Sequence, residues 1–239
     1  MKLFIIGAGS GVGVELTRLL DERRISWVAP ESGRIDARDP LGTARVITRA
    51  EPDQVINLSA FAAGKQDAVM LAEQAPEEVE AVNHLQAELV AQVCDHLHIP
   101  MIHLSSVHVF GGEKKLAYNE QDTPKPVGVY GRTALAGEQA VEQTVKRHVI
   151  LRTGWLFGQG QDAELRNWLE QLRSGDGSVT VLRRKFAPTP VEDLARVILA
   201  VSLQVDCQAE LWGIYHYAAL EPLRESEFVQ QLVKFAAQH

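Results

Sequence analysis

Residues 2–22 read KLFIIGAGSGVGVELTRLLDE, and this stretch decides the fold. Lys2 to Gly7 is a short apolar run of strand length, and Val12 to Glu22 carries Val14, Leu16, Leu19 and Leu20 on or near one helical face. Between them Gly7, Gly9, Gly11 and Gly13 fall within seven residues. Glycine lets the chain turn sharply and approach a phosphate closely, and the helix that follows offers unpaired N–H groups and the positive end of its dipole. Strand, glycine loop and helix in that order form a phosphate cradle, with Gly7, Gly9, Ser10, Gly11, Val12 and Gly13 as its candidate contacts. A glycine-rich turn without a ligand would have the same local pattern.

The alternation continues beyond this unit. Ile25–Ala29, Gln54–Leu58, Met101–Ser105 and His148–Arg152 read as strands, with helical stretches at 41–50, at 66–97 with a break at Pro76, and at 134–146. Each return to a parallel strand needs a crossover long enough to hold a helix, so the expected architecture is an α/β, Rossmann-like doubly wound parallel sheet. After residue 153 the pattern loosens: 161–173 reads as helix, Ser178–Leu182 as extended, Val191–Leu203 as helix, Gly213–Ala218 as extended and Glu225–Ala237 as helix. The expected division is a dinucleotide-binding core over 1–153 and a small C-terminal substrate lobe over 154–239, with elements returning to the core. In such a sheet the loops after residues 7, 30, 58, 105 and 152 converge on one crevice.

Composition narrows the partners. The 239 residues carry 24 Lys plus Arg against 31 Asp plus Glu, a net charge of -7, with neither sign gathered into a block, so nucleic acid is not an expected partner. Cys94 and Cys207 lie far apart and outside any Cys/His cluster, so no metal site is expected and a reducing cytoplasm fits. No apolar run approaches the roughly 20 residues that span a bilayer, and Glu15, Arg18 and Asp21 interrupt the N-terminal apolar stretch before it could serve as an export signal. The expectation is a soluble, cytoplasmic protein.

Several further segments occur in an order that resembles the dTDP-4-dehydrorhamnose reductase family of the short-chain dehydrogenase superfamily. They are Asp36-Ala37-Arg38-Asp39-Pro40, Pro52 to Phe61, Ala81-Val82-Asn83, Leu104 to Phe110, Val129 to Glu138, Leu151 to Gly158, and Gly213 to Ala218. The resemblance implies NAD or NADP as cofactor and a nucleotide sugar as substrate. It implies that Ser106 steadies the substrate carbonyl, that Tyr130 is the general acid, and that Asn83 belongs to a proton relay. It also adds Asp36, Ser59, Ala60 and Phe61 to the cofactor contacts. After the second strand, Glu31 would favour NAD by bonding a ribose 2′-hydroxyl and Arg34 would favour NADP by accepting a 2′-phosphate, and the residues admit both. A second copy of the chain or a partner enzyme is the expected protein partner.

The departures from that pattern bear on activity. Four residues after Tyr130, where the superfamily has a lysine, stands Ala134. A phenol with an ordinary pKa of about 10 releases its proton poorly near neutral pH unless a cation stabilises the phenolate, and the usual lysine also grips the nicotinamide ribose. Arg132 stands two residues on, a spacing that does not share a helix face with Tyr130, whereas Lys114, Lys115 and Lys125 could approach from the preceding loop. His108 and Val107 replace an aromatic hydroxyl residue and an aspartate, and an imidazole at 108 could exchange protons near neutral pH. Trp155, Phe157, Trp168, Trp212 and Tyr215 could line a stacking groove or simply form the core of the lobe. Two principal readings follow: a nucleotide-sugar reductase, impaired or rewired, and a catalytically silent dinucleotide-binding or regulatory subunit, comparable to the reductase-like regulatory subunit of methionine adenosyltransferase. A redox-sensing binder of the reduced cofactor is a third.

Overall fold

The computed structural model describes residues 1–61, 68–158, 163–174 and 178–236. Its elements in chain order are β1 (Lys2–Ile6), α1 (Gly11–Glu22), β2 (Ser26–Val28), α2 (Pro40–Ala50), β3 (Gln54–Asn57), α3 (Ala68–Ala72) and α4 (Pro76–Glu80). A π-helical turn (Ala81–Leu85) then leads into α5 (Gln86–Leu97), followed by β4 (Met101–Ser106), a 3-10 turn (Val107–Val109), α6 (Val129–Thr144) and β5 (His148–Thr153). The remainder is β6 (Leu156–Phe157), α7 (Ala163–Ser174), β7 (Lys185–Phe186), β8 (Thr189–Pro190), α8 (Val191–Asp206), β9 (Gly213–Tyr217), β10 (Leu223–Arg224) and α9 (Glu225–Ala236).

Six strands form the main sheet in the order β2-β1-β3-β4-β5-β9, every pair parallel. The doubly wound expectation therefore holds, and the register explains the two cores. Leu3, Ile5, Ile56, Ile102, Val149 and Leu151 face one side, where they meet Leu16 and Leu20 of α1 and Leu194, Ile198 and Leu199 of α8. Phe4, Val55, Met101 and Ile150 face the other, against Ile47 of α2, Val90 and Ala91 of α5, and Val141 of α6. Because successive side chains on a strand point to opposite faces, near-continuous apolar runs are what a sheet covered on both sides requires. The second half of the chain contributes to this core directly, with β9 extending the sheet and α8 covering α1.

The glycine loop is built tightly. Gly7 has φ +84°, and a Cβ there would sit 2.9 Å from the Leu58 carbonyl carbon; a Cβ on Gly13 would lie 2.3 Å from the Gly7 oxygen. Ser10 caps α1, its side chain accepting from the Gly13 amide at 3.1 Å.

Some boundaries differ from the expectations. Residues 66–97 form α3, α4, the π turn and α5, with Pro76 opening α4 where its missing N–H costs nothing; positions 66 and 67, like 161, 162 and 237 in the other expected helices, lie outside the described residues. α6 begins at Val129, five residues before its expected start, which puts Tyr130 in its first turn. Ser178–Leu182 is not a strand. Side chains take its donors instead, the Thr180 amide bonding Gln171 at 2.9 Å and the Leu182 amide bonding Glu225 at 3.1 Å, and the strand falls later at Lys185–Phe186. Among the described residues no helix is long and apolar enough to cross a membrane.

His103 lies buried on β4, 3.2 Å from the Asn57 side-chain nitrogen through Nδ1. An amide N–H facing Nδ1 calls for a neutral ring with Nδ1 as acceptor. Burial, with a smaller contribution from His148, pushes its pKa down to about 4. In the window from the unfolded value near 6.5 down to about 4, the unfolded chain binds the extra proton, so stability falls as pH falls. We predict a loss of about 3 kcal/mol from this group between pH 7 and pH 4. Urea unfolding across that range measures it, and His103→Gln should flatten the slope.

Candidate functional site

The carboxyl ends of β1, β3, β4 and β5 open onto one edge of the sheet, and the sequence-chosen residues gather there. Toward its β2 side a cavity of about 280 Å³ is lined by Gly33, Ile35, Asp36, Ala37 and Arg38 from the segment after β2 and by Glu78, Ala81, Val82 and Gln86 from α4, the π turn and α5. Asp36 is anchored at its floor, its backbone amide and carbonyl both bonded to the Thr43 hydroxyl. Glu31 and Arg34 stand outside this lining as an exposed ion pair 3.5 Å apart. Each answers the other's charge at a solvent-screened surface, where such a pair contributes little to stability.

After β3, Asn57 gathers the loop. Its Oδ1 accepts from both the amide and the hydroxyl of Ser59, and Gln86 donates to the Ser59 hydroxyl at 2.9 Å. Ala60 is exposed, while Phe61 is buried with its amide bonded to Asn83 Oδ1 at 2.8 Å. Asn83 sits in the π turn, a helix irregularity that re-aims side chains and recurs at functional sites. Its Nδ2 donates to the Thr133 hydroxyl at 3.1 Å, and that hydroxyl donates back onto the Val129 and Tyr130 carbonyls at 3.0 and 3.1 Å. Asn83 is thus joined to Tyr130 through Thr133.

Ser106 reaches Tyr130 by another route. Ending β4, it caps the 3-10 turn by accepting from the His108 amide at 3.2 Å, and the His108 ring meets the Tyr130 ring edge-on with centroids 5.6 Å apart. Tyr130 also packs on the cluster of Phe61, Ala72 and Val79. The Glu73 carboxylate accepts the Val129 amide at 2.6 Å, supplying from outside the cap that Gly128 cannot provide. Burial pushes the Tyr130 phenol up to about 12. Ala134, one helical turn along, is buried with Val109 and Phe110 and packs beside Tyr118 and Leu135. The cations considered as substitutes are engaged or outward: Arg132 bonds the Val127 carbonyl at 2.6 Å, Lys114 holds Asp122 at 2.6 Å, and Lys115 and Lys125 are exposed.

Glu138 and Arg152 carried no assigned role in the sequence. Both are about 98% buried, and they pair through Nε–Oε1 at 2.9 Å and Nη2–Oε2 at 2.7 Å, with the Ser105 hydroxyl donating to the same carboxylate. The Arg152 guanidinium also stacks over Phe110 at 5.2 Å, and Phe110 stacks on Tyr118 at 4.3 Å. A charge inside the strand HVILRT, matched by a glutamate on the helix before it, was the available signal. In the C-terminal part of the chain Trp155, Phe157, Trp168, Phe186 and Phe228 form one aromatic cluster. Trp168 is its buried member, whereas Tyr215 is exposed on β9.

A family model described as RmlD substrate binding domain matches residues 1–239. The dTDP-4-dehydrorhamnose reductase of Sinorhizobium fredii is 33% identical over 175 residues, 72% of this chain and 57% of that protein. That of Mycolicibacterium smegmatis is 32% identical over 219 residues, covering 91% and 64%. The chain therefore spans less than two thirds of the length of these two relatives. Among solved structures, the dTDP-4-dehydrorhamnose reductase of Bacillus anthracis in complex with NADP superposes with a TM-score of 0.88 at 22% identity, covering 99% of this chain and 81% of that one.

Removing one member of the buried Glu138–Arg152 pair strands the other charge. Glu138→Ala is expected to destabilise the protein by about 3–5 kcal/mol, measured by urea unfolding, a far larger loss than for an exposed pair.

Proposed function

The chain belongs to the RmlD substrate binding domain family over its whole length, and from that premise we propose that it binds a nicotinamide dinucleotide and reduces a carbonyl of a nucleotide sugar. The observation that carries this reading is the convergence of Asn83, Ser106 and Tyr130 through Thr133 and His108, at the sheet edge that also bears the glycine loop.

The residues present fit the cofactor. Gly9 is exposed and a Cβ there would meet nothing within 4 Å, so the loop leaves room where a pyrophosphate would approach, and the first amides of α1 lack intrahelical partners. The cavity at Asp36 suits an adenine, and the Bacillus anthracis relative holds NADP on the same fold. Gly7, Ser10, Gly11, Val12 and Gly13 would hold the pyrophosphate, with Ser59, Ala60 and Phe61 beyond it. Glu31 and Arg34 would meet the adenosine ribose, where breaking their mutual pair frees Arg34 for a 2′-phosphate.

When bound, the nicotinamide supplies hydride. The chain supplies the rest: Ser106 Oγ orients the carbonyl oxygen, the Tyr130 phenol donates the proton to it, and Asn83 holds the first turn of α6 in register through Thr133. A phenol held near 12 is fully protonated at neutral pH and therefore ready to donate, but its phenolate is costly in an apolar surround. That cost favours slow turnover. The packing of Ala134 against Val109 and Phe110 supports a second reading, a silent dinucleotide-binding or regulatory protein.

Calorimetry with NADH and NADPH tests binding. Gly9→Ala should abolish the heat of binding while leaving stability within about 0.5 kcal/mol, because the new methyl enters open space in the free protein. No heat from the wild type with either cofactor would remove the proposal.

Ala134→Lys tests the chemistry. A cation one turn from Tyr130 should raise the rate of cofactor oxidation with a nucleotide sugar by about 10²-fold and move the alkaline limb of the pH profile downward, since it stabilises the phenolate. Tyr130→Phe should remove the remaining activity. Wild-type turnover at an ordinary enzymatic rate, slowed by Ala134→Lys, would make His108 the next residue to replace. Cofactor binding without turnover in either form would favour the silent reading.

A further inference from the structure

Thr153 ends β5 with its hydroxyl buried and, among the described residues, without a hydrogen-bond partner. It lies in register with Ser106 on β4 and with Tyr217 on β9. Residues in register on neighbouring parallel strands share a face, so Ser106, Thr153 and Tyr217 form a row of hydroxyls across the carboxyl edge of the sheet. The row is on the side covered by α1 and α8, because Leu104 and Leu151, two residues before Ser106 and Thr153, pack in that core with Tyr217. Arg152 and Ser105 face the other way, into the pair with Glu138. No other described residue satisfies Thr153, although Ser106, its neighbour in the row, receives the His108 amide.

An unpaired buried hydroxyl is costly to a fold, and a valine would fill the same volume without that cost. The position of the row within the site accounts for a hydroxyl being there. With a pyrophosphate at the glycine loop above β1 and the adenosine half in the cavity on the β2 side, the other half of a dinucleotide can extend only the opposite way, over β3 toward β4 and β5. Three strand spacings cover about 14 Å, the scale of that half-molecule. Its terminal ring carries one polar substituent, a carboxamide, which offers both a donor and an acceptor to a hydroxyl.

We propose that Thr153 is a specificity-determining residue whose buried, unpartnered hydroxyl receives the carboxamide of the nicotinamide ring. This rests on the dinucleotide reading above and adds a contact to it. The free protein carries the cost of the unpaired group, and cofactor binding relieves it. Because Thr153 Oγ has almost no surface of its own, the contact requires the link Gly154–Trp155 between β5 and β6 to shift on binding, which the aromatic ring of Trp155 would report.

The test replaces Thr153 by valine, nearly the same shape without the hydroxyl. The melting temperature of the free protein should rise by about 2–4 °C. Calorimetric affinity for NADH or NADPH, whichever binds the wild type more tightly, should fall roughly three- to tenfold. Affinity for the matching adenosine diphosphoribose, which lacks the nicotinamide ring, should not change. Thr153→Ser should restore the cofactor affinity. An equal loss for both ligands, or no loss for either, would overturn the proposal, and so would a lower melting temperature for Thr153→Val, which would mean that a buried water already satisfies the hydroxyl in the free protein. If the wild type binds adenosine diphosphoribose as tightly as the full cofactor, the nicotinamide contact is also wrong, whereas failure to bind either ligand sinks the dinucleotide reading itself.

Discussion

The pairing of Glu138 with Arg152 is the constraint on which the site depends. It ties α6 to β5 at a point where both charges are removed from water, and its geometry is enforced because neither partner can leave without stranding the other. Ser105 joins the same carboxylate, so the end of β4 is held to the same anchor. From there the stack of Arg152, Phe110 and Tyr118 sets the course of the loop after β4. Tyr130 on α6 and Ser106 on β4 are thereby presented by two elements that share one buried ionic contact.

A second layer of polar bonds tunes the same region. Asn83 joins the loop after β3 to the first turn of α6, and Glu73 caps that turn from a segment 56 residues away. These bonds compensate for a helix that starts without a side-chain cap of its own. The resulting pocket around Tyr130 is apolar enough to push its phenol up to about 12, and Ala134 adds no charge to offset that effect. In the proposed reaction, position 134 would set the balance between an acid that donates readily and one whose conjugate base is too costly to form.

The parallel sheet and the glycine loop were legible in the sequence because both are local. Apolar runs of strand length, amphipathic helices between them and four glycines in seven residues need no long-range information. The extended segment expected at Ser178–Leu182, which forms no strand, shows the limit of that reasoning. Its composition suits an extended chain, but side chains of Gln171 and Glu225, nine and 43 residues from the amides they bond, occupy its donors, and nothing within the segment foretells them.

The same division applies to the site. The sequence by itself determined which residue types were available: a phenol, a serine, an asparagine and an alanine where a cation would help. Only the tertiary structure decided that Thr133 and His108 join them, that Glu138 and Arg152 hold their elements together, and that Thr153 is left buried with no partner among the described residues. Hydrogen-bond partners and burial depend on which segments the fold brings within about 3 Å of each other, and residues tens of positions apart carry no local signal of that meeting.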